Sequence, residues 1–173
     1  MEQEWMPFII SIKTALTATM ITFFLGIFAA NKINKINPKH KGILDSLFTL
    51  PMVLPPTVIG FFLLVILGRN GFIGKLLYSI GINVIFSWGA TVIAAVVVSF
   101  PLMYSTAKGA FEQIDKNILN AAQTMGVSNF KIFWKIMIPL AWPGIAAGTI
   151  LSFARALGEF GATLMIAGNI PGK

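Results

Sequence analysis

Apolar residues in this chain gather into four long blocks, and the charged residues fall mainly between them. The blocks run from about 7 to 30, 43 to 67, 84 to 107 and 140 to 167. Each is long enough to cross a bilayer, which takes roughly 20 mostly apolar residues as a helix. Pro7 to Ala30 alone extends about 36 Å at about 1.5 Å per residue, enough for a tilted span. The pattern predicts an all-α integral membrane protein, residues 1–173 as one transmembrane domain with four visible spans. The first block reads as a retained helix and not a cleaved signal peptide. Glu2 and Glu4 precede it, no Lys or Arg does, and no A-x-A site follows.

Composition agrees with the pattern: 56% of residues are hydrophobic and 11% charged, against about 25% charged in a soluble domain. Charge adds orientation. Lys32, Lys35, Lys39 and Lys41 lie between the first two blocks, and Lys108, Lys116, Lys131 and Lys135 lie in 108–138. The interval 68–83 has only Arg69 and Lys75, and the N-terminal tail has neither Lys nor Arg. By the positive-inside rule both Lys-rich intervals face the cytoplasm and the N-terminus lies outside. The net charge of +7 is largely this asymmetry, so it does not point to nucleic acid. There is no Cys, and the single His40 sits in a basic loop beside Lys39 and Lys41, where a solvated side chain is expected. No Ser-His-Asp set or carboxylate cluster is visible. Gly71–Lys75 and Gly168–Lys173 both lack the four-residue glycine spacing and the Ser/Thr of a P-loop. The chain is therefore expected to bind no cofactor or metal and to be no enzyme. Energy has to come from another subunit.

Several residues interrupt the apolar blocks. Pro51, Pro55 and Pro56, followed by Thr57, fall near the middle of the second span. Each proline lacks an N–H, and an interior proline clashes with a carbonyl one turn back. The carbonyls so freed need protein or a water-filled path. Two readings stand: a packed kink, or a broken helix lining a translocation path. Arg155 and Glu159 are charged residues in the fourth span, spaced to pair on one helix face. A structural ion pair and a pore-lining or gating role are both open. Thr14, Ala18, Thr22, Gly26 and Ala30, and again Gly144, Gly148, Ser152 and Ala156, recur every four residues. Such stripes let helices approach closely, within one chain or across a dimer seam. Pro101 predicts a kink in the third span, and Lys13 is expected to reach out to the interface.

In the interval 108–138 the pattern predicts a short helix from about Asp115 to Met125, with Gly126 as its left-handed cap. Phe130, Ile132, Phe133, Trp134 and Ile136 follow as an amphipathic return to the membrane. The spacing resembles the cytoplasmic EAA loop of bacterial ABC-importer permeases. Ala121, Ala122, Gly126, Ile136 and Pro139 are in register, Asn120 stands at the family's Glu and Ile138 at its Leu. Leu50–Thr57 resembles the proline-rich second-span motif of molybdate-type permeases. Phe153–Gly172 is similar to the stretch after their coupling loop, much of which sulfate/thiosulfate permeases share.

The resemblance runs from about residue 8 to the end. It implies the membrane subunit of an ATP-driven importer of a tetrahedral oxyanion, with molybdate first, then tungstate and sulfate. It further implies coupling to an ATPase through Asn120, Ala121, Ala122, Gly126, Ile136 and Pro139. The expected partners are a second permease copy, two cytoplasmic ATPase subunits that bind ATP and Mg, an extracytoplasmic oxyanion-binding protein and membrane lipid. The expected setting is a prokaryotic plasma (inner) membrane. The candidate path or gate is Pro51, Pro55, Pro56, Thr57, Arg155 and Glu159. Such permeases usually carry a fifth span, and this chain is expected to lack it. Two readings from other classes remain: an ion-coupled secondary transporter using Arg155 and Glu159 as a charge relay, and a non-functional membrane fragment.

Overall fold

Proline and glycine decide where the long helices stop. A computed structural model of the chain describes residues 2–34 and 36–168, and no strand occurs among them. Helix α1 (Glu2–Ile33) ends just before the Lys-rich turn. Helix α2 (Pro38–Val53) opens with Pro38 at its first position and Asn37 capping the Lys39 N–H. Leu54 and Pro55 then both adopt extended backbone (ψ 142° and 138°), because a residue preceding proline is kept out of the α region. Helix α3 (Pro56–Leu67) restarts at Pro56 and runs at 112° to α2. The second span, predicted over 43–67, is thus a pair of half-helices and not one rod, as the broken-helix reading required.

A short helix α4 (Phe72–Ser79) follows, then the long α5 (Trp88–Glu112). Helix α6 (Lys116–Thr124) and the first turn of the return, α7 (Asn129–Ile132), come next. From Asn129 the chain stays helical through a π-turn (Phe133–Met137) and α8 (Ile138–Leu157). It breaks at Gly158–Phe160 and ends in α9 (Gly161–Ala167). Trp5–Ile33, Trp88–Glu112 and Asn129–Leu157 are each long and apolar enough to cross a membrane.

Two predicted boundaries move. The helix that carries the fourth apolar block runs Asn129–Leu157, starting well before the predicted residue 140, because Pro139 does not start it. A proline ring clashes with the carbonyl four residues back, and the π-turn immediately before it widens the coil there: Ile138 N–H bonds Phe133 C=O, five residues away. The polar interval predicted over 108–138 accordingly shrinks to the stretch between Glu112 and Asn129, with α6 inside it. Pro101 is buried within an uninterrupted α5.

Contacts fix the relative directions of the helices. Near their N-terminal ends, Trp88 Nε1–H donates to Thr14 Oγ1 at 2.9 Å. Beyond the C-terminal end of α1, Lys41 bonds both Asn34 and, at 2.7 Å, Glu112 at the end of α5. So α1 and α5 run parallel. The segment between them must carry the chain back, which makes α2–α3 a crossing element rather than a re-entrant hairpin. Helix α8 is antiparallel to α5. A Cβ on Gly144 would lie 2.6 Å from Ala110 Cβ, and one on Gly148 2.0 Å from Thr106 Oγ1. Thr14, Ala18, Thr22, Gly26 and Ala30 are all buried too, and a Cβ on Gly26 would fall 2.7 Å from Met103 Cγ. Both small-residue stripes are spent on packing within the chain.

Candidate functional site

Two places gather the residues singled out by the sequence. The first is α6. Asp115 caps it by accepting the Asn117 N–H at 2.9 Å. At its other end Gly126 takes φ +75°, where a side chain is strained. Gly126 N–H bonds Gln123 C=O at 2.9 Å and Val127 N–H bonds Ala122 C=O at 3.1 Å, the paired bonds of a Schellman motif. The helix is fastened at both ends despite its nine residues.

Its faces divide cleanly. Asn120 and Ala121 are exposed. Ala122 is buried and joins a core cluster with Phe111, Ile114 and Ile132, against which Leu119, Val127 and Ile136 also pack. Of the two adjacent alanines in the motif, Ala121 thus faces outward and Ala122 turns toward its own bundle. Ile136 is half-buried on the π-turn and Pro139 is exposed. The element resting on the bundle thus touches both the end of α5 and the start of the return helix.

The second place is a junction between two helix breaks. A Cβ on Gly161, the first residue of α9, would lie 3.1 Å from Pro56 Cβ and 3.5 Å from Thr57. A Cβ on Gly60 would lie 2.8 Å from both Ala162 Cα and Met165 Cβ. Helix α9 therefore lies directly on α3. Arg155 Nη1 donates to Glu159 Oε2 at 2.9 Å, and Glu159 Oε1 accepts the Ala162 N–H at 2.7 Å. The Glu159 side chain is 1% exposed and that of Arg155 33%. Both carboxylate oxygens are engaged: one neutralises Arg155, the other caps α9. Pro56, Thr57, Arg155 and Glu159 thus converge, Pro55 is exposed at the break itself, and Pro51 is half-buried inside α2.

A third cluster was not anticipated. Asp45 accepts from Tyr104 Oη through Oδ1 and pairs with Lys108 Nζ through Oδ2 at 2.5 Å. Lys108 also lies 3.8 Å from Glu112, which holds Lys41. The network ties α2 to α5 at the Lys-rich end. Its signal was available, since Asp45 is the one acid in the 43–67 block, and an acid in a span has to be paired. At the opposite end Lys13 lies 4.6 Å from the Trp88 ring centroid. No group of His, Cys, Asp and Glu among the described residues could hold a metal. Residues 169–173, which include the end of the motif expected after the coupling loop, lie outside the described residues, as does Lys35.

Comparison with known proteins places these features in a lineage. The profile of the family described as "Binding-protein-dependent transport system inner membrane component" matches residues 22–172. YvgM of Bacillus subtilis (strain 168), named for a molybdenum transport system permease, is 49% identical over 167 residues, 96% of this chain and 74% of that protein. The molybdenum transport system permease protein ModB of Escherichia coli (strain K12) is 44% identical over 173 residues, 99% of this chain and 76% of that protein. The cysT chain of Chlorokybus atmophyticus, named for sulfate transport, is 36% identical over 166 residues, 96% of this chain and 58% of that protein.

Proposed function

This chain belongs to the binding-protein-dependent transport system inner membrane components, and on that premise we propose that it is the membrane subunit of an ATP-driven importer of a tetrahedral oxyanion, molybdate. The observation that carries the reading is the identity of 44–49% to molybdenum permeases over nearly the whole chain, against 36% to a chain named for sulfate. The N-terminus lies outside and the Lys-rich ends of α1 and α5 lie in the cytoplasm, as the charge asymmetry supports. There α6 offers Asn120 and Ala121 to a cytoplasmic ATPase subunit, which supplies the ATP and Mg. Gly126, Ile136 and Pro139 hold the return of the chain from that contact. Two ATPase subunits, a second permease copy and an extracytoplasmic oxyanion-binding protein complete the assembly.

Force applied to α6 has two ways into the bundle. Ala122 packs on Phe111 and Ile114 at the end of α5, and Ala122 and Val127 pack in the same cluster as Ile132 at the start of the return helix. The far end of that helix is the Glu159 junction, where α9 lies on α3. A displacement of α6 therefore reaches Pro55, Pro56 and Thr57 along a continuous helix, and the open backbone at this break lines the path. The test is ATP hydrolysis by the complex reconstituted with its binding protein, titrated with molybdate, tungstate and sulfate. Stimulation by molybdate at the lowest concentration is expected. Stimulation by sulfate alone would retain the importer and replace the anion. No assembly with an ATPase, together with no stimulation, would overturn the reading.

A further inference from the structure

An apolar groove of about 440 Å³ runs between α1 and the return helix, away from both sites above. Phe24 and Phe28 form one wall and Trp134, Ile138 and Trp142 the other. All but Ile138 are more than half exposed. The stripe on α1 continues at the four-residue step from Phe28 to Lys32, whose Nζ lies 5.4 Å from the Phe28 ring centroid. The facing stripe continues from Trp134 back to Lys131, with Lys135 beside it. Because α1 and the return helix are antiparallel, these lysines meet at one end of the groove. All three are exposed, and none pairs with a carboxylate among the described residues. Asn31, the residue next to Lys32, also lines the groove, and its Oδ1 is buried without a protein donor.

A trough that is apolar along its length, cationic at one end and equipped there with a hydrogen-bond acceptor fits one ligand chemistry. We infer that it is a seat for an anionic phospholipid carrying headgroup hydroxyls, a phosphatidylglycerol. An acyl chain lies along Phe24, Phe28 and Trp142, the phosphate faces Lys32, Lys131 and Lys135, and a glycerol hydroxyl donates to Asn31. A second copy of this chain is the poorer fit, because it brings a net charge of +7 and the same lysines to a cationic rim.

Trp134 and Trp142 make the groove readable by fluorescence, once the other two tryptophans are replaced in W5F/W88F. The chain is placed in phosphatidylcholine vesicles doped with brominated phosphatidylglycerol or, separately, brominated phosphatidylcholine. The expected result is equal quenching at about one fifth the mole fraction or less for the anionic lipid, since one lysine near an anionic headgroup already supplies about fivefold and three face this one. K32A/K131A/K135A should abolish that preference and leave quenching by brominated phosphatidylcholine unchanged. Equal quenching by both lipids means ordinary boundary lipid and overturns the inference. Absence of quenching by either means a protein covers the groove, and overturns it too. Should W5F/W88F fail to fold, the difference between the unaltered chain and W134F/W142F gives the same readout.

Discussion

Arg155→Ala separates a structural pair from a path residue, and its size follows from the geometry. Among the described residues, the substitution removes the only charged partner of a carboxylate that is 1% exposed and leaves that carboxylate buried with one backbone N–H, from Ala162. Breaking a buried pair from one side costs roughly 3–5 kcal/mol. Here the low end applies, about 3 kcal/mol, because Arg155 is a third exposed. Glu159→Gln in the same chain removes the orphan charge but keeps an oxygen to cap α9. The double variant R155A/E159Q should therefore be more stable than R155A by about 2 kcal/mol, a coupling that neighbouring sites in one network routinely reach. The assay is equilibrium unfolding in mixed micelles, with stimulated ATP hydrolysis of the reconstituted complex measured in parallel. If R155A/E159Q is no more stable than R155A, the capping argument is wrong. If E159Q unfolds like the parent yet hydrolysis or transport is lost, the pair serves the path and not the fold.

Three further outcomes follow from single positions. Gly126→Val should cost about 1–2 kcal/mol locally, from φ +75° alone, since open space surrounds the site; insertion should persist and anion-stimulated hydrolysis should fall, Gly126→Asn should recover it, and normal transport in the Val variant would sink the coupling assignment. Asp45→Asn leaves Lys108 18% exposed without its main partner and should loosen α2 from α5, read as faster proteolysis of the Lys39–Val53 segment; an unchanged cleavage rate would show that the network is not what holds α2. Gly148→Val places a Cβ 2.0 Å from Thr106 Oγ1 and should lower stability by about 1–3 kcal/mol or more, seen as loss of monodisperse protein in detergent, with yields equal to the parent arguing against the α5–α8 packing.

What the sequence revealed and what it hid have a common physical basis. Break points were legible because proline acts locally. The pre-proline rule alone puts Leu54 and Pro55 outside a helix, and Gly126 announces a left-handed cap. Helix ends in the return were not, because Pro139 can start a helix or sit in one, and only the π-turn beside it decides. Arg155 and Glu159 could be paired from their spacing, but the second bond of Glu159, to Ala162, needed the chain to turn back at Gly158. Ala122 shows the same limit. A spacing motif says that two small residues are adjacent, and adjacent residues on a helix point about 100° apart, so one meets the bundle when the other meets solvent. Asp45 announces only that it needs a partner; which one the sequence does not say, because Tyr104 and Lys108 lie about sixty residues away.

The parts of the molecule that move together can be argued from the same contacts. Helix α5 meets α1 at Gly26 and α8 at Gly144 and Gly148, where an added Cβ would collide, so the three helices form a stiff slab. Helix α3 is separated from α2 by the Leu54–Pro55 break and α9 from α8 by the Gly158–Phe160 break, while α3 and α9 touch each other at Gly60–Ala162 and Pro56–Gly161. The breaks are the places where rotation is easy, so α3 and α9 should shift as one body against the slab. The absence of native Cys allows a direct test. In G60C/M165C the two Cβ atoms would start about 2.8 Å apart, closer than the roughly 3.5–4.5 Å of a disulfide, so a small outward adjustment lets the bridge form. Oxidation of that variant should leave anion-stimulated hydrolysis and uptake within about twofold of the reduced form. If the bridge forms quantitatively and uptake stops, α3 and α9 move apart during transport, and the path opens between the two half-helices rather than beside them.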